Sequence, residues 1–593
     1  MSQRQSSSAA GPEPAGPPAR VGAVVGGAVL ARRAVVRVGA VIAGVAAGVV
    51  AWRRPSTAGT TPTPHRPPSF TTTSGAPVVI AAHAGILRPA GATPVPGAQR
   101  LQVVVHASEP CTVKVQVRSV TAARAFESTW TPTTVGLDRT NPVNAVKILM
   151  PEGCGAPGQV WTWSVLLAPP ATAPAAPPSA ATFTDPRVRT LPMRPAPGQP
   201  SSFKVATGSC SQVAHVGQPL RRVPAAAAMA TAGLTEFVHL GDTSYVDTWT
   251  ELDESTAANR YTKFAWGARM HVSQSDFAAL YAKVPTRTII DDHDAGPDDC
   301  YALNTYPEAR QVLTDCFAGS WFDEAGFDLD HPSSVSYDHW SIGEADFFLL
   351  DNRFWRDGGG RRTGVYGVAT YPSQLGDTQQ RWLISALRSS SAPIKIIYCP
   401  RTFRHFYAKG EQDRLLDVIT GKDGGPAVGG VVVFASGDMH AAAITRLDRT
   451  AAVYEVQCAP IANTTLHTLK PLFDWQVARG YSLLWLNTAD GKPGQAASNA
   501  WGEFEINTLD PSKRTLTVRL RGETGAVLKE LVIPVPSGTP SPSPTTTRPT
   551  SSTTTTRPTS STTTARPTSS TTTARPTSST TAPKPTSGTS TAG

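Results

Sequence analysis

Four apolar, β-rich runs between Ser202 and His440 each end in residues able to hold a metal ion: FKVATGSC, EFVHLGDTSY, RTIIDDHD and GVVVFASGDMH. A buried strand has no use for a thiol, a carboxylate or an imidazole at its tip. Ligands of open α/β sheets bind outside the carboxyl ends of the strands, so four such tips can converge on one point. The first ends at Cys210, and the second at Asp242, with Tyr245 three residues on. The third ends in Asp291, Asp292, His293 and Asp294, and the fourth in Asp438 and His440. Gly241 and Gly437 stand directly before an aspartate and allow the tight turns this needs. Taken singly, each feature has a plainer reading. Gly-Asp after a strand is commonly a turn, Cys210 a buried or disulfide-bonded cysteine, Tyr245 a core residue, His293 a surface histidine, and Asp291 and Asp294 caps or bridges. Their order and common placement argue for a shared centre.

Around these tips, strand-like and helix-like stretches alternate. The runs FFLLD and IKIIYC join the four above, and helices are expected over Ala225–Ala232, Ala257–Ala282 and Gln374–Arg388. This pattern predicts an α/β sandwich over residues 196–536, with YSLLWLN, WGEFEIN and RTLTVRLRG completing the sheets. Residues 77–195 read differently. LQVVVHA, CTVKVQVRSV and VWTWSVLL are short β runs separated by turn residues, as in a small all-β domain of fibronectin or immunoglobulin type. Nothing chemical gathers there, and packing or spacing is its expected role.

The formal charge of +10 on 593 residues raises the question of a nucleic-acid or membrane partner. Seven arginines and one glutamate in residues 1–54 contribute +6, and four arginines and one lysine in residues 537–593 contribute +5. The body between them carries about −1 by subtraction, so the basicity belongs to the ends and no nucleic-acid specificity is expected. In residues 1–54, Arg32-Arg33 precede a weakly apolar stretch ending at Trp52, similar to a twin-arginine export signal; an uncleaved anchor is the alternative. Residues 55–76 form a Pro/Thr/Ser linker. In the tail, Arg548, Arg557 and Arg566 each begin R-P-T-S-S-T-T-T-x, a repeat too poor in hydrophobes to fold, which suits a glycosylated stalk or wall-spanning spacer. Both ends are therefore expected to be disordered and to serve association with a cell wall or membrane surface. The seven cysteines fit an exported protein; Cys111 with Cys154 and Cys300 with Cys316 are reasonable pairs, although connectivity cannot be read from spacing.

The set Ser209-Cys210, Gly241-Asp242-x-x-Tyr245, Asp291-Asp292-His293-Asp294 and Gly437-Asp438-x-His440 resembles the PhoD-like alkaline phosphatases, a branch of the calcineurin-like metallophosphoesterases. Leu350-Asp351-Asn352-Arg353 and LGDTQQRWLISAL (375–387) agree with that resemblance, which runs from about Val79 to Val535. It implies a metallophosphatase-type β-sandwich flanked by helices, an accessory β domain before it, and export by the twin-arginine route. It also implies iron with calcium, held by Cys210, Asp242, Tyr245, Asp292, Asp438 and His440. Thiolate and phenolate suit a high-valent ion, carboxylates suit a hard divalent one, and Asp242 is the natural bridge. A metal-activated water would attack phosphorus in line, with His293 protonating or hydrogen-bonding the leaving oxygen. Arg353 could fork onto a phosphate or pair with Asp351 or another acid, and Arg356 and Arg401 are weaker candidates. Two features depart from the pattern: the superfamily's first-strand Asp-x-His is replaced by Cys210, and IIYCPRTFRHFY (396–407) lacks the asparagine–glutamine pattern often found there.

The expectation is an exported monomer hydrolysing phosphate mono- or diesters. Its alternatives are a phosphodiesterase acting on phospholipid or teichoic acid and a non-catalytic cell-surface binding protein.

Overall fold

The computed structural model describes residues 78–87, 100–108, 111–130, 144–168, 187–214, 219–249, 252–302, 304–319, 336–356, 362–363, 369–370, 373–406, 409–465, 481–487 and 498–536. The export segment, the 55–76 linker and the repeat tail lie outside them. No helix among the described residues is long and apolar enough to cross a membrane.

The first part is a sandwich of a three-stranded sheet, Val79–Leu87, Arg100–Ala107 and Ala145–Leu149, and a four-stranded sheet. The latter runs in the order Ala125–Trp130, Thr112–Ser119, Trp161–Ala168, Arg189–Leu191. Val113, Val115 and Val117 alternate inward against Trp161, Trp163, Val165 and Leu167, the period-two burial of antiparallel sheets with one wet face. This is the immunoglobulin or fibronectin type that the turn spacing predicts.

The second part packs two larger sheets face to face. In the six-stranded sheet, Thr286–Thr288, Glu236–His239 and Ser202–Gly208 run parallel, followed by antiparallel Ala500–Asn507, Thr515–Gly522 and Val527–Pro534. The seven-stranded sheet runs Asp338–Ile342, Ala345–Leu349, Ile394–Cys399, Val431–Ser436, Val453–Cys458, Ala442–Arg446, Ser482–Leu486. Its parallel middle is buried at every position. One face, with Phe347, Ile396, Tyr398 and Val433, meets the other sheet, while Phe348, Ile397, Val432 and Phe434 meet Leu383, Leu387, Leu415 and Val418 of helices Gly376–Ser389 and Lys409–Thr420. Burial on both faces explains why these strands read as unbroken apolar runs.

The helix expected over Ala257–Ala282 is two helices, Ala257–Ser273 and Ser275–Tyr281. The Gln274 side chain accepts from the backbone N–H groups of Asp276 and Phe277, so a local cap outcompetes helix continuation. The suggested cysteine pairs are not formed: Cys154, Cys300 and Cys316 carry buried thiols, and the described chain holds no disulfide. Cys300 faces the Asp292 carbonyl (3.9 Å), whereas Cys316 ends helix Pro307–Cys316 beside the first sandwich.

That sandwich does more than space the chain. His106 Nε2 donates to the Cys316 carbonyl (3.0 Å), and Ala318 N and Gly319 N donate to His83 Nε2 (2.9 Å) and Gln102 Oε1 (3.0 Å). Arg287, on the strand that leads to Asp291, donates to the Ile86 carbonyl (2.6 Å). Gly85 lets the backbones meet, since a Cβ there would lie 2.3 Å from Gly319 N.

Candidate metal centre

The two large sheets present the carboxyl ends of their parallel strands to one place. Three tips come from the six-stranded sheet and the Val431–Ser436 tip from the seven-stranded one. Main-chain bonds from the segment after strand Val453–Cys458 tie the Cys210 tip to the seven-stranded sheet, Ile461 N to Ser209 O (2.8 Å) and Ala462 N to Cys210 O (3.2 Å). The Asp438 N–H also donates to Ser209 Oγ (3.2 Å). Gly241 is required here, because a Cβ would stand 2.4 Å from Asp291 N. Gly437 is equally hemmed in, with Ser209 Oγ 2.4 Å from its would-be Cβ.

Five of the six expected ligands have left-handed backbone: Cys210 (φ 60°), Asp242 (56°), Tyr245 (58°), Asp438 (66°) and His440 (48°). Such a conformation costs a non-glycine residue on the order of 1–2 kcal/mol. Concentrated on these residues, it marks a site whose side-chain directions are imposed by the surrounding fold.

The ligand atoms come together. Cys210, Asp242 and His440 form one group, Asp242, Asp292 and His293 a second, and Asp242, Asp291, Asp292 and Asp438 a third, each within 4.8 Å. Asp242 belongs to all three. Its Oδ2 is 3.5 Å from Cys210 Sγ and accepts from Tyr245 OH (3.0 Å), and that hydroxyl lies 2.8 Å from His440 Nε2. His440 Nδ1 faces the Thr464 carbonyl (2.8 Å), so it carries the proton and leaves Nε2 to the centre. Asp242 Oδ1 and Asp291 Oδ2 are buried with no hydrogen-bond partner among the described residues, which fits a cation between them.

Electrostatics follows from burial. Desolvation, with neighbouring acids adding to it, pushes the Asp242 carboxyl, the Cys210 thiol and the Tyr245 phenol well above their ordinary values. Burial also lifts Asp291 to about 7, although the Arg353 guanidinium opposes it. For Asp292 burial is overcome, because Arg353, His293 and Arg401 hold its carboxyl well below the usual range. Burial likewise disfavours a charged His293, yet Asp247, Asp242 and Asp292 together raise it well above the ordinary imidazole value. Acids packed this closely require positive charge.

Arg353 supplies part of that charge. It is fully buried, is ion-paired with Asp291 and Asp292 (Nη2–Oδ1 3.1 Å), and reaches Asp299 at 3.7 Å and Asp438 at 4.0 Å. Its backbone N–H donates to Asp351 (2.8 Å), so of its two expected roles the ion pair is the one seen, with Asp291 and Asp292 as partners. Arg401 bridges Asp299 (3.1 Å) and Asp438 (3.3 Å), and Arg356 holds Asp299 at 3.0 Å. Asp294 accepts from the backbone and hydroxyl of Thr243, a bridging role.

Asp291, one of the strand-tip acids, has an unpartnered oxygen and belongs to the third ligand group. Two further residues join the centre without a strand-tip position to mark them. Asp247 accepts from His293 Nδ1 (2.8 Å). Asp299 gathers three arginines and donates its backbone N–H to Asp292 Oδ2 (2.8 Å). The acid five residues beyond Asp242 and the second acidic pair in DDHDAGPDD were the available signals.

A model of the PhoD-like phosphatase family matches residues 205–481. Among curated proteins compared with the chain, none matches. A solved structure of PhoD shares 16% sequence identity at a TM-score of 0.54, covering 78% of this chain and 90% of that one. A purple acid phosphatase from yellow lupin (Lupinus luteus) seeds shares 11% at a TM-score of 0.47, covering 77% of this chain and 74% of that one. The likeness to PhoD shows a common fold over most of both chains.

Proposed function

We propose that the chain is an exported, metal-dependent phosphoesterase that hydrolyses phosphate mono- or diesters at the strand-tip centre, a reading supported by the match of residues 205–481 to the PhoD-like phosphatase family model. The observation that carries this is the sharing of Asp242 by all three ligand groups, as a carboxylate bridging two cations must be.

Cys210, Tyr245 and His440 with Asp242 would hold ferric iron, and Asp242, Asp292 and Asp438, with Asp291 beside them, would hold calcium. When bound, such cations supply Lewis-acid chemistry, acidifying a water and offsetting charge on the phosphoryl oxygens. The remaining work falls to the chain. Asp247 takes the Nδ1–H of His293, which leaves Nε2–H of the imidazolium as a proton source for the departing oxygen. Arg353 and Arg401 hold the acids in register, and with His293 they keep Asp292 ionised. Export and a cell-surface location rest on the paired arginines near the N-terminus and on the threonine-rich tail.

Metal analysis with turnover of nitrophenyl phosphate and its bis-ester tests the reading. Iron and calcium together with chelator-sensitive hydrolysis are expected, and the ratio of the two rates assigns mono- or diester preference. A metal-free preparation that stays fully active would overturn it.

A further inference from the structure

Behind the Cys210 and Asp242 loops lies a second polar cluster that touches no proposed ligand side chain. Its members are Ser211, His239, His271 and Tyr281, all essentially excluded from solvent. The hydrogen bonds fix every proton in it. The Gly241 N–H donates to His239 Nδ1 (3.2 Å), so Nε2 carries the hydrogen and donates to Ser211 Oγ (2.9 Å). Ser211 Oγ has one hydrogen left to give, and donates it to the Thr243 carbonyl (3.1 Å). That carbonyl also faces His271 Nδ1 (2.9 Å), so His271 is protonated there and accepts from Tyr281 OH at Nε2 (2.6 Å). Burial pushes His271 down to about 3 and His239 well below its ordinary value, consistent with two neutral rings.

The chain of bonds spans the two loops. The Ser211 N–H donates to the Asp242 carbonyl (2.8 Å) and Cys210 N–H to the Gly241 carbonyl (3.2 Å), so the backbone ties the two loops directly and the side-chain network ties them again through the Gly241 N–H and the Thr243 carbonyl. Cys210 and Asp242, the residues between these ties, are both left-handed. At its far end the cluster reaches the first sandwich, where the Tyr281 ring packs 5.5 Å from that of His83.

We propose that Ser211, His239, His271 and Tyr281 are positioning residues that hold Cys210 and Asp242 in their left-handed backbone and so aim the thiolate and the bridging carboxylate at the same cation. This rests on the proposed metal centre. Ser211 is the keystone, since its single oxygen joins both histidines to the Thr243 carbonyl. A purely structural cluster would lower stability and leave ligand geometry alone, whereas a positioning cluster alters the metal's own signature.

The test is a cobalt(II) titration of the chelator-treated full chain, read by the thiolate-to-cobalt absorption band and by Kd. Ser211→Ala is expected to weaken Kd at least tenfold and to shift or lose the band. His239→Gln, which keeps an N–H for Ser211, should stay near wild type. Thr508→Ala removes a buried hydroxyl hydrogen-bonded to Ser201, at the other end of the Ser202–Gly208 strand, and controls for lost stability. It should lower Tm while leaving band and Kd unchanged. Wild-type band and Kd in Ser211→Ala would overturn the positioning role while the metal centre stands. A wild-type chain that binds no cobalt would sink the metal centre itself, and this inference with it.

Discussion

The molecule buries two polar clusters side by side, and they meet the cost of desolvation in opposite ways. At the strand tips acids face guanidinium groups: Asp242, Asp291, Asp292 and Asp438 lie with Arg353 and Arg401, and carboxylate oxygens are left over. Behind them the groups are neutral. His239, Ser211, His271 and Tyr281 satisfy one another, and the histidine pKa values fall so that no charge is buried. A neutral network needs only geometry, whereas a cluster of acids needs cations. The first therefore reads as scaffold and the second as a place where ions and phosphate are handled. The division also follows the two sheets. The six-stranded sheet and its loops bring most of the acids, and the arginines come from loops of the seven-stranded one.

Removing the internal cation strikes this contrast hardest. Arg353→Met leaves Asp291 and Asp292 buried without their guanidinium, which should cost about 3–5 kcal/mol of stability. Denaturant melts should show that loss, and added calcium should restore part of it by binding the folded state. Stability unchanged from wild type would mean that the acids do not depend on Arg353. Asp242→Asn comes next. With the shared carboxylate gone, kcat should fall roughly 10³-fold, the scale of losing a group that acts on transition-state charge, and metal analysis should show depleted iron. Retained metal and kcat would move the bridge elsewhere. A smaller effect is expected of Asp247→Asn, which frees His293 to turn away from its fixed orientation. A loss of roughly 10–10²-fold, part of what general acid catalysis contributes, should appear with alkyl phosphate esters and shrink with nitrophenyl esters, whose leaving oxygen needs little proton. Equal losses on both substrates would deny His293 the acid's role.

Much of the charged cluster was legible in the amino-acid sequence because each ligand follows a strand that must be buried. The run GVVVFAS ends abruptly in Asp438 and His440, as EFVHL does in Asp242, and the recurrence of that change at four strand ends outweighed the turn reading open to each alone. What was not legible depends on pairings between distant loops. Asp299 lies 102 residues from Arg401, and only the packed sheets bring them to 3.1 Å. Asp247 sits in a turn with no periodicity to mark it. The neutral cluster was hidden for a different reason. His239 and His271 occupy positions that read as strand and helix core, and Ser211, which lies between their rings, is 60 residues from His271. The cysteine pairs failed because spacing carries no geometry: Cys300 points to the Asp292 loop and Cys316 to the sandwich. Gln274 broke an expected helix through a side-chain cap that propensity alone does not register.

The neutral side of the comparison can be tested by pH at His106, where the first sandwich meets helix Pro307–Cys316. Burial lowers this imidazole to about 4, with Arg269 adding to the effect and the Cys316 carbonyl opposing it. The other titratable groups nearby are His83, whose ring lies 6.0 Å away, the buried Cys316 thiol, and Lys147, which burial brings down to about 7. Because the folded pKa lies below the unfolded value of about 6.5, the unfolded chain takes up the proton first as pH falls. The contribution to stability is therefore complete above pH about 6.5, declines as pH drops from there towards 4, and changes no further below that. Between pH 7 and 5 this single group should account for about 2 kcal/mol. His106→Gln, which can still donate to the Cys316 carbonyl, should flatten the pH dependence of the denaturation midpoint by that amount. Carboxylates elsewhere titrate in both proteins and cancel in the difference. Parallel pH profiles for the two proteins would mean that His106 is not kept neutral by burial, and the contrast between a charged centre and an uncharged scaffold would fail at the sandwich contact.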